Sequence, residues 1–346
     1  MRILQIGPIS YVGGVSVHIL RLSYLLKSQT NYYDIKFIDE SPLIHAKKNE
    51  INIRRAKDYY KFITEIIKSD LIHIHSVHWL LRIFFILCAI LLWKPFVVTL
   101  HSFRITGLKK AITLILLIKA KKVIAVSEEI KLMIHYKNIQ TVIKEAFIPP
   151  NIEDELCLPE EIEKRIEIEK KDKILICANA FRLTPFNGRE LYGLDQCIEV
   201  AAKLKLENLN ILIIFAIGTI RKSDELYMSL KKKVEESELE KHLWIIPHQV
   251  PFVKLINHSL IVLRPTLSDG DAITIREAIH FKKIIIASDV VKRPIGTIIY
   301  KTGSSTDLYN KIVKCINGFT QLNESTSDNL MTYFNFYNNL YKICNN

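Results

Sequence analysis

LIVLRPTLSDGDAITIREAIHFKKIIIAS, residues 260–288, carries the reading on which the fold turns. LIVLRP and KIIIAS are apolar runs of strand length, and AITIREAIHF between them spaces its apolar residues as a helix does. Strand, turn, helix, strand is the unit that builds a parallel sheet, and unbroken Ile/Leu/Val runs suit strands buried on both faces. The turn sets two acids about a glycine, Asp269, Gly270 and Asp271, with Glu277 about two helical turns further on. Gly270 frees the backbone there. The helix start at Ala272 can aim unpaired N–H groups at an anion or a hydroxyl oxygen. Carboxylates in that position accept hydrogen bonds from vicinal hydroxyls. Two plainer readings stand beside this one: a loop acid capping the helix with a solvated glutamate, and a D-x-D pair chelating a divalent ion.

The same alternation runs outward from this stretch. KILICANAF (173–181), NILIIFAIG (210–218) and HLWIIP (242–247) read as strands, with helices at 194–205 and 222–238. Before them, IPPNIEDELCLPEEIEKRIEIEKKD (148–172) has prolines and dense acids, the composition of a linker. An earlier series lies upstream: strands at RILQI (2–6), DIKFID (34–39), LIHIHS (71–76), FVVTLHS (96–102) and KKVIAVS (121–127), with helices between. Ser127 is placed to cap the helix that follows it. The pattern predicts two doubly wound parallel α/β domains, 1–160 and 161–325, and a helical tail over 326–346 that crosses back to the first. The 346 residues suit two domains at roughly 100–200 residues each.

Composition narrows the class. Hydrophobic residues make up 49% and charged residues 24%, a globular balance. Six scattered cysteines without C-x-x-C read as reduced thiols of a cytoplasmic protein. MRILQIGPIS lacks the apolar stretch of a signal peptide. The longest apolar run, Ile83–Trp93, has eleven residues against about 20 for a membrane span, so it reads as a buried or membrane-surface helix. Charge is unevenly spread: residues 1–150 hold 22 Lys+Arg and 10 Asp+Glu, whereas residues 151–346 hold 26 of each. The first half is either simply basic or faces an anionic partner. Lys109, Lys110, Lys119, Lys121 and Lys122 flank AITLILLI (111–118), which suits an anionic membrane surface. No aromatic-basic motif argues for nucleic acid.

In open α/β sheets ligands bind beyond the C-terminal strand ends. There the first half has Gly13 and Gly14 in GPISYVGGVSVH, a strand-to-helix turn that either approaches an anion or simply needs glycine. It also has His101 in VVTLHS, a strand-end imidazole that is either structural or reaches a ligand. His73, His75 and His78 in LIHIHSVHW invite a metal reading, but no carboxylate or cysteine is placed to complete it.

Asp269-x7-Glu277 resembles the E-x7-E motif of retaining GT-B glycosyltransferases of family four, with Asp at the first acid. Other stretches resemble that family's motifs in the same order: GGVSVH its glycine loop, VVTLHS its V-V-T-x-H-G, VIAVSEEI its V-x-x-V-S, IPPNIED its I-P-N-G-I-D, and REAIHFKKIIIASDV its E-A-x-A-x-G-x-P-V-I-A-S-D. The resemblance spans about residues 1–320.

It implies the GT-B fold, two Rossmann-like domains facing a cleft, and transfer of a sugar with retention from a nucleotide-diphosphate sugar. The acceptor implied is a glycan or polyprenyl-linked sugar at the inner face of the plasma membrane, in cell-surface polysaccharide synthesis. Neither cofactor nor metal is implied. Glu277 would take the ribose, Asp269 the sugar hydroxyls, and Gly270, Asp271 and Ala272 the sugar or phosphate. His101, Gly13 and Gly14 would contribute from the first domain. In NAFRLTPFNGRELYGLD (179–195), Arg182 matches the family's diphosphate-binding arginine, but Tyr192 stands where a lysine is expected. Arg189 is the nearest substitute, and Tyr192 can donate one hydrogen bond to phosphate. The departure keeps a catalytically impaired scaffold open, and a nucleotide-sugar epimerase of the same fold is a further alternative.

Overall fold

Continuous apolar runs become the central strands of two parallel sheets, because only a strand covered on both faces can be apolar at every position. The structure, a computed structural model, describes residues 1–10, 13–42, 51–103, 105–136, 138–220, 224–269, 272–318 and 330–345. The chain divides into two units, Met1–Ile148 together with the last helix, and a second unit from Pro149 onward. The division falls earlier than the expected boundary at residue 160.

The first unit begins with β1 (Arg2–Gly7), α1 (Gly14–Gln29), β2 (Asp34–Asp39), β3 (Ile51–Asn52), α2 (Tyr59–Lys68) and β4 (Leu71–Ile74). It continues with α3 (Trp79–Leu91), β5 (Phe96–Leu100), α4 (Gly107–Leu117), β6 (Lys122–Ala125), α5 (Glu128–Met133) and β7 (Thr141–Ile143). Its sheet order is β3-β2-β1-β4-β5-β6-β7, every pair parallel. The order reverses between β1 and β4, which pair with Gln5 opposite His73. Ser127 accepts from the Ile130 N–H, as its position before α5 predicts.

In the second unit α6 (Glu160–Glu169) precedes β8 (Ile174–Ala180), a hairpin of β9 (Pro185–Phe186) and β10 (Arg189–Glu190), α7 (Leu194–Leu206) and β11 (Ile211–Ile217). Then come α8 (Glu225–Glu236), β12 (Leu243–Ile246), α9 (Phe252–His258), β13 (Ile261–Arg264), α10 (Ile273–His280), β14 (Ile284–Ser288), β15 (Thr297–Tyr300) and α11 (Ser305–Asn317). The parallel order β12-β11-β8-β13-β14-β15 reverses between β8 and β13. The acidic stretch read as a linker is therefore partly a correction. Ile162 and Ile166, four residues apart on α6, are buried with Leu158 against the second sheet's Leu175 and Val262. The acids occupy the outer face, where Lys164 pairs with Glu160.

The last helix, α12 (Leu330–Asn345), carries Tyr333, Tyr337, Leu340, Tyr341 and Cys344 on one buried stripe. It packs in a core with Ile3, Leu22, Leu26, Leu71 and Val97 of the first unit. Each fully buried Leu or Ile contributes about 1.5–3 kcal/mol relative to exposure. Tyr33 donates to Asn338 Oδ1 at 2.7 Å and fastens the helix further.

α3 keeps Phe85, Ile86 and Ala89 inside with Arg82, and leaves Leu80, Phe84, Leu87 and Leu91 exposed. Among the described residues no helix is long and apolar enough to cross a membrane.

Candidate functional site

Both points of strand-order reversal gather the residues that the sequence singles out. At such points the connections leave neighbouring strands in opposite directions and open a crevice beyond the strand ends.

In the second unit, Arg182 follows β8 and the Asp269 loop follows β13, the strand hydrogen-bonded to it. Asp269, expected at the sugar hydroxyls, is held by side chains of its own unit. Arg264 donates to it through Nε and Nη2 at 3.0 and 2.9 Å, Arg293 Nη1 at 2.8 Å, and Thr266 Oγ1 at 3.2 Å. Three of these donors fall on Oδ2 and one on Oδ1, so the carboxylate is committed chiefly to holding its own loop. The Asp269 and Arg293 side chains are 6% and 2% exposed. Burial works to raise the Asp269 pKa, but the two guanidiniums outweigh it and hold the carboxyl at about 2. Arg293 also donates to the Ser288 carbonyl at 3.0 Å, so the network ties the loop after β13 to the end of β14. Arg264, inside the opening quoted stretch, and Arg293 escaped the sequence reading. An arginine ending a strand five residues before an aspartate was the available signal.

Glu277 is buried on α10, so the solvated-glutamate alternative is also corrected. Ala272 is the N-cap of α10, which no side chain among the described residues caps, and the Ile275 N–H donates to the Ala272 carbonyl at 3.1 Å. With Arg276, Val291, Lys292, Arg293 and Pro294, Ala272 lines a pocket of about 470 Å³. Gly270 and Asp271 lie outside the described residues.

The hairpin loop before α7 is built around a carboxylate that the sequence reading missed. Glu190 is buried and accepts from the N–H groups of Thr184, Tyr192 and Leu194 at 3.2, 2.9 and 3.1 Å. Burial raises its pKa despite those bonds. Arg189, expected as the substitute cation, is engaged instead. It donates to Asp195 at 2.6 Å, Glu199 at 2.8 Å and the Gly303 carbonyl at 2.7 Å. The Tyr192 ring sits 5.5 Å from the Arg264 guanidinium, a cation–π contact. Arg182 is half-buried, and its guanidinium has no partner among the described residues. It is the cation left available at this strand end.

In the first unit, Gly13 is extended and Gly14 opens α1, with the Val17 N–H donating to the Gly13 carbonyl. Both line a pocket of about 640 Å³ together with Glu40, Trp79, Arg82 and Ser102. Arg82 is buried and donates to the Ser76 carbonyl at 3.0 Å, and burial lowers its pKa to about 10 against the opposing pull of Glu40.

His101 is no lone imidazole. His18 from α1, His75 after β4 and His101 after β5 meet with ring centroids 5.0–5.5 Å apart. The His73 ring lies tilted against His75 with centroids 3.9 Å apart, but hydroxyls of Tyr341 and Thr99 engage both its nitrogens at 2.6 and 2.7 Å. His78 is exposed at the start of α3. The trio His73, His75 and His78 is thus not one cluster. Burial lowers the pKa of His18 to about 4 and those of His73, His75 and His101 well below the ordinary value. All four are neutral near pH 7.

No protein-family model and no curated protein sequence matches the chain. Solved structures do. Over 99% of its length the chain is similar to HepE of Anabaena in complex with UDP and glucose, covering 97% of that chain at 14% identity and a TM-score of 0.66. It is similar over the same share to a glycosyltransferase of Rickettsia africae, covering 95% of that chain at 20% identity and a TM-score of 0.66. Sucrose-phosphate synthase of Thermosynechococcus elongatus matches with 99% of each chain covered, 13% identity and a TM-score of 0.61. At these identities the likeness establishes the architecture: the chain has the GT-B fold, two α/β units with parallel sheets.

Proposed function

We propose that the chain is a retaining hexosyltransferase that moves a sugar from a nucleotide-diphosphate sugar to a polyprenyl-linked or polysaccharide acceptor in cell-surface polysaccharide synthesis. The observation that carries this reading is the reversal point of the second sheet. Arg182, without a described partner, and the Asp269 loop leave adjacent strands there. A departing diphosphate needs positive potential fixed in advance, and the Arg182 guanidinium and the helix start at Ala272 are the groups here that can supply it. HepE, solved with UDP and glucose, supports a nucleotide sugar as the ligand class.

The residues divide the work. Arg182 faces the diphosphate. Asp269 acts through Arg264 and Arg293 by fixing the loop, while Gly270, Asp271 and Ala272 present backbone to the sugar or phosphate. Glu277 is the candidate for the ribose, and Tyr192 stands in for the lysine. Transfer breaks the bond from the anomeric carbon to the diphosphate and forms one to the acceptor oxygen on the same face. The acceptor's proton leaves with the diphosphate. The first unit takes the acceptor in the pocket at Gly13 and Gly14, where Trp79, Leu81 and Ile105 give apolar surface and Arg54 and Arg82 give charge. His101 is this unit's candidate for contact with substrate.

Thermal shift with UDP, GDP, ADP and CMP and their sugar conjugates, on wild type and Arg182→Ala, tests the assignment. One nucleotide class at 100 times its dissociation constant adds about 2.7 kcal/mol, and the variant loses that gain. No shift with any nucleotide moves the assignment to a non-catalytic scaffold, the reading that Tyr192 and the engaged Arg189 favour.

A further inference from the structure

Three imidazoles from three different elements converge where the first sheet reverses. Each of His18, His75 and His101 offers one ring nitrogen, and these nitrogens all lie within 4.8 Å of one another. His75 Nδ1 and His101 Nε2 are already 3.2 Å apart. Two nitrogens on one tetrahedral Zn²⁺, each about 2.0–2.1 Å from the ion, sit about 3.3 Å from each other.

The surrounding acceptors fix which nitrogens carry lone pairs. His18 Nδ1 faces the Ala146 carbonyl at 2.6 Å, and a carbonyl only accepts, so Nδ1 bears the proton and Nε2 the lone pair. His75 Nε2 faces Gln5 Oε1 at 2.8 Å, so it bears the proton and Nδ1 the lone pair, aimed at His101. Gln5 is itself held, its amide donating to the Tyr341 hydroxyl at 3.2 Å. An imidazole whose far N–H is anchored to a carbonyl oxygen, leaving the near nitrogen its lone pair, is the arrangement that metal-binding histidines show; the Tyr337 hydroxyl, 3.5 Å from His18 Nε2, is the contact an ion would displace. His18 and His75 are fully buried and His101 is only partly so, which leaves one side of the trio open for a fourth ligand.

We propose that His18, His75 and His101 form a binding site for a divalent transition ion of the zinc class, with three nitrogen ligands and one exchangeable position. Three imidazoles suit Zn²⁺, Co²⁺, Ni²⁺ or Cu²⁺ and disfavour Mg²⁺ and Ca²⁺, which take oxygen. When the ion enters, the proton on His101 Nε2 moves to its Nδ1, so the site keeps neutral ligands. The inference shares His101 with the transferase reading, but its readout is metal binding and not turnover, so either can fail without the other.

The test uses the full chain without a histidine tag, stripped with chelator and titrated with Co²⁺. The expected result is one equivalent bound, with the strong visible absorption of four-coordinate cobalt, displaced by Zn²⁺. His101→Ala lowers the affinity by more than about tenfold. His258→Ala leaves it unchanged, although His258, Glu163 and Glu167 form the other such group among the described residues. X-ray absorption of the zinc-loaded wild type, which depends on no variant's folding, should show three imidazole nitrogens at about 2.0–2.1 Å. Failure to retain cobalt, loss of binding in His258→Ala instead, or an oxygen-dominated zinc shell overturns the proposal.

Discussion

Arg182 and Asp269 occupy neighbouring strand ends and do opposite work. Replacing Arg182 with Ala removes a guanidinium that supports nothing else among the described residues, so the melting temperature should hardly change. Donor turnover in steady-state assays should fall about 10²–10³-fold, the usual cost of one group that stabilises developing charge. Asp269→Asn should instead cost about 3–5 kcal/mol in denaturant unfolding, because it strands two guanidiniums, one of them fully buried. Its pH signature follows from the depressed pKa. The native carboxyl titrates near 2 against about 3.8 when unpaired. Its contribution is complete above about pH 4 and drains away as pH falls through 2. The stability gap between wild type and Asp269→Asn should therefore narrow over that window, and an unchanged gap would refute the assignment. The Asp269 position was legible in the sequence; its two arginines were not. Arg293 lies 24 residues on, and only the pairing of β13 with β14 brings it back. His101 looked solitary for the same reason. Sequence spacing cannot show that α1 and the ends of β4 and β5 converge, because that adjacency belongs to sheet order.

Among elements, the hairpin loop that ends at α7 is held by Glu190 from within and by one glycine from outside. Gly193 has φ +81, and a Cβ there would lie 2.2 Å from the Pro265 carbonyl oxygen. Gly193→Ala should cost at least about 2 kcal/mol in chemical unfolding, from the left-handed backbone and the contact together. A change within about 0.5 kcal/mol, as on an ordinary surface, would show that the close approach is not rigid. Long apolar strands and several of the amphipathic helices were read from their periodicity, but α9 and the amphipathic α11 were not. The short strands β3, β7 and β15 were missed, since two to four residues are too few to display alternation. Helix α6 was misread because its acids hid an Ile pair that only the 3.6-residue period reveals.

At the scale of the molecule, exposed apolar residues and basic charge coincide on the first unit. α3 exposes Leu80, Phe84, Leu87 and Leu91, Trp93 beyond it is 93% exposed, and the contacting α4 exposes Leu108, Ile112 and Ile115. Lys109, Lys119 and Lys121 are exposed on and beyond α4. We propose that this face rests on an anionic membrane, each basic group near the surface contributing about 1 kcal/mol. The chain should sediment with anionic vesicles at low salt, weaken at high salt, and lose binding in a Leu108→Ser, Ile115→Ser variant. Absence from the vesicle pellet at both salt concentrations would sink the proposal. The uneven charge was plain in the sequence, but it took the helix packing to show which apolar residues stay outside.

The second unit is a single unbroken stretch, whereas the first is split and receives its covering helix from beyond the second. A ribosome releases the first sheet early, yet Ile3, Leu22 and Leu26 stay without their tyrosine-rich cover until the whole intervening unit has been made. Nascent domains ordinarily mature in the order of synthesis. Here the unit translated later is finished earlier, and the one that starts the chain must wait, with apolar surface exposed to chaperones in the meantime.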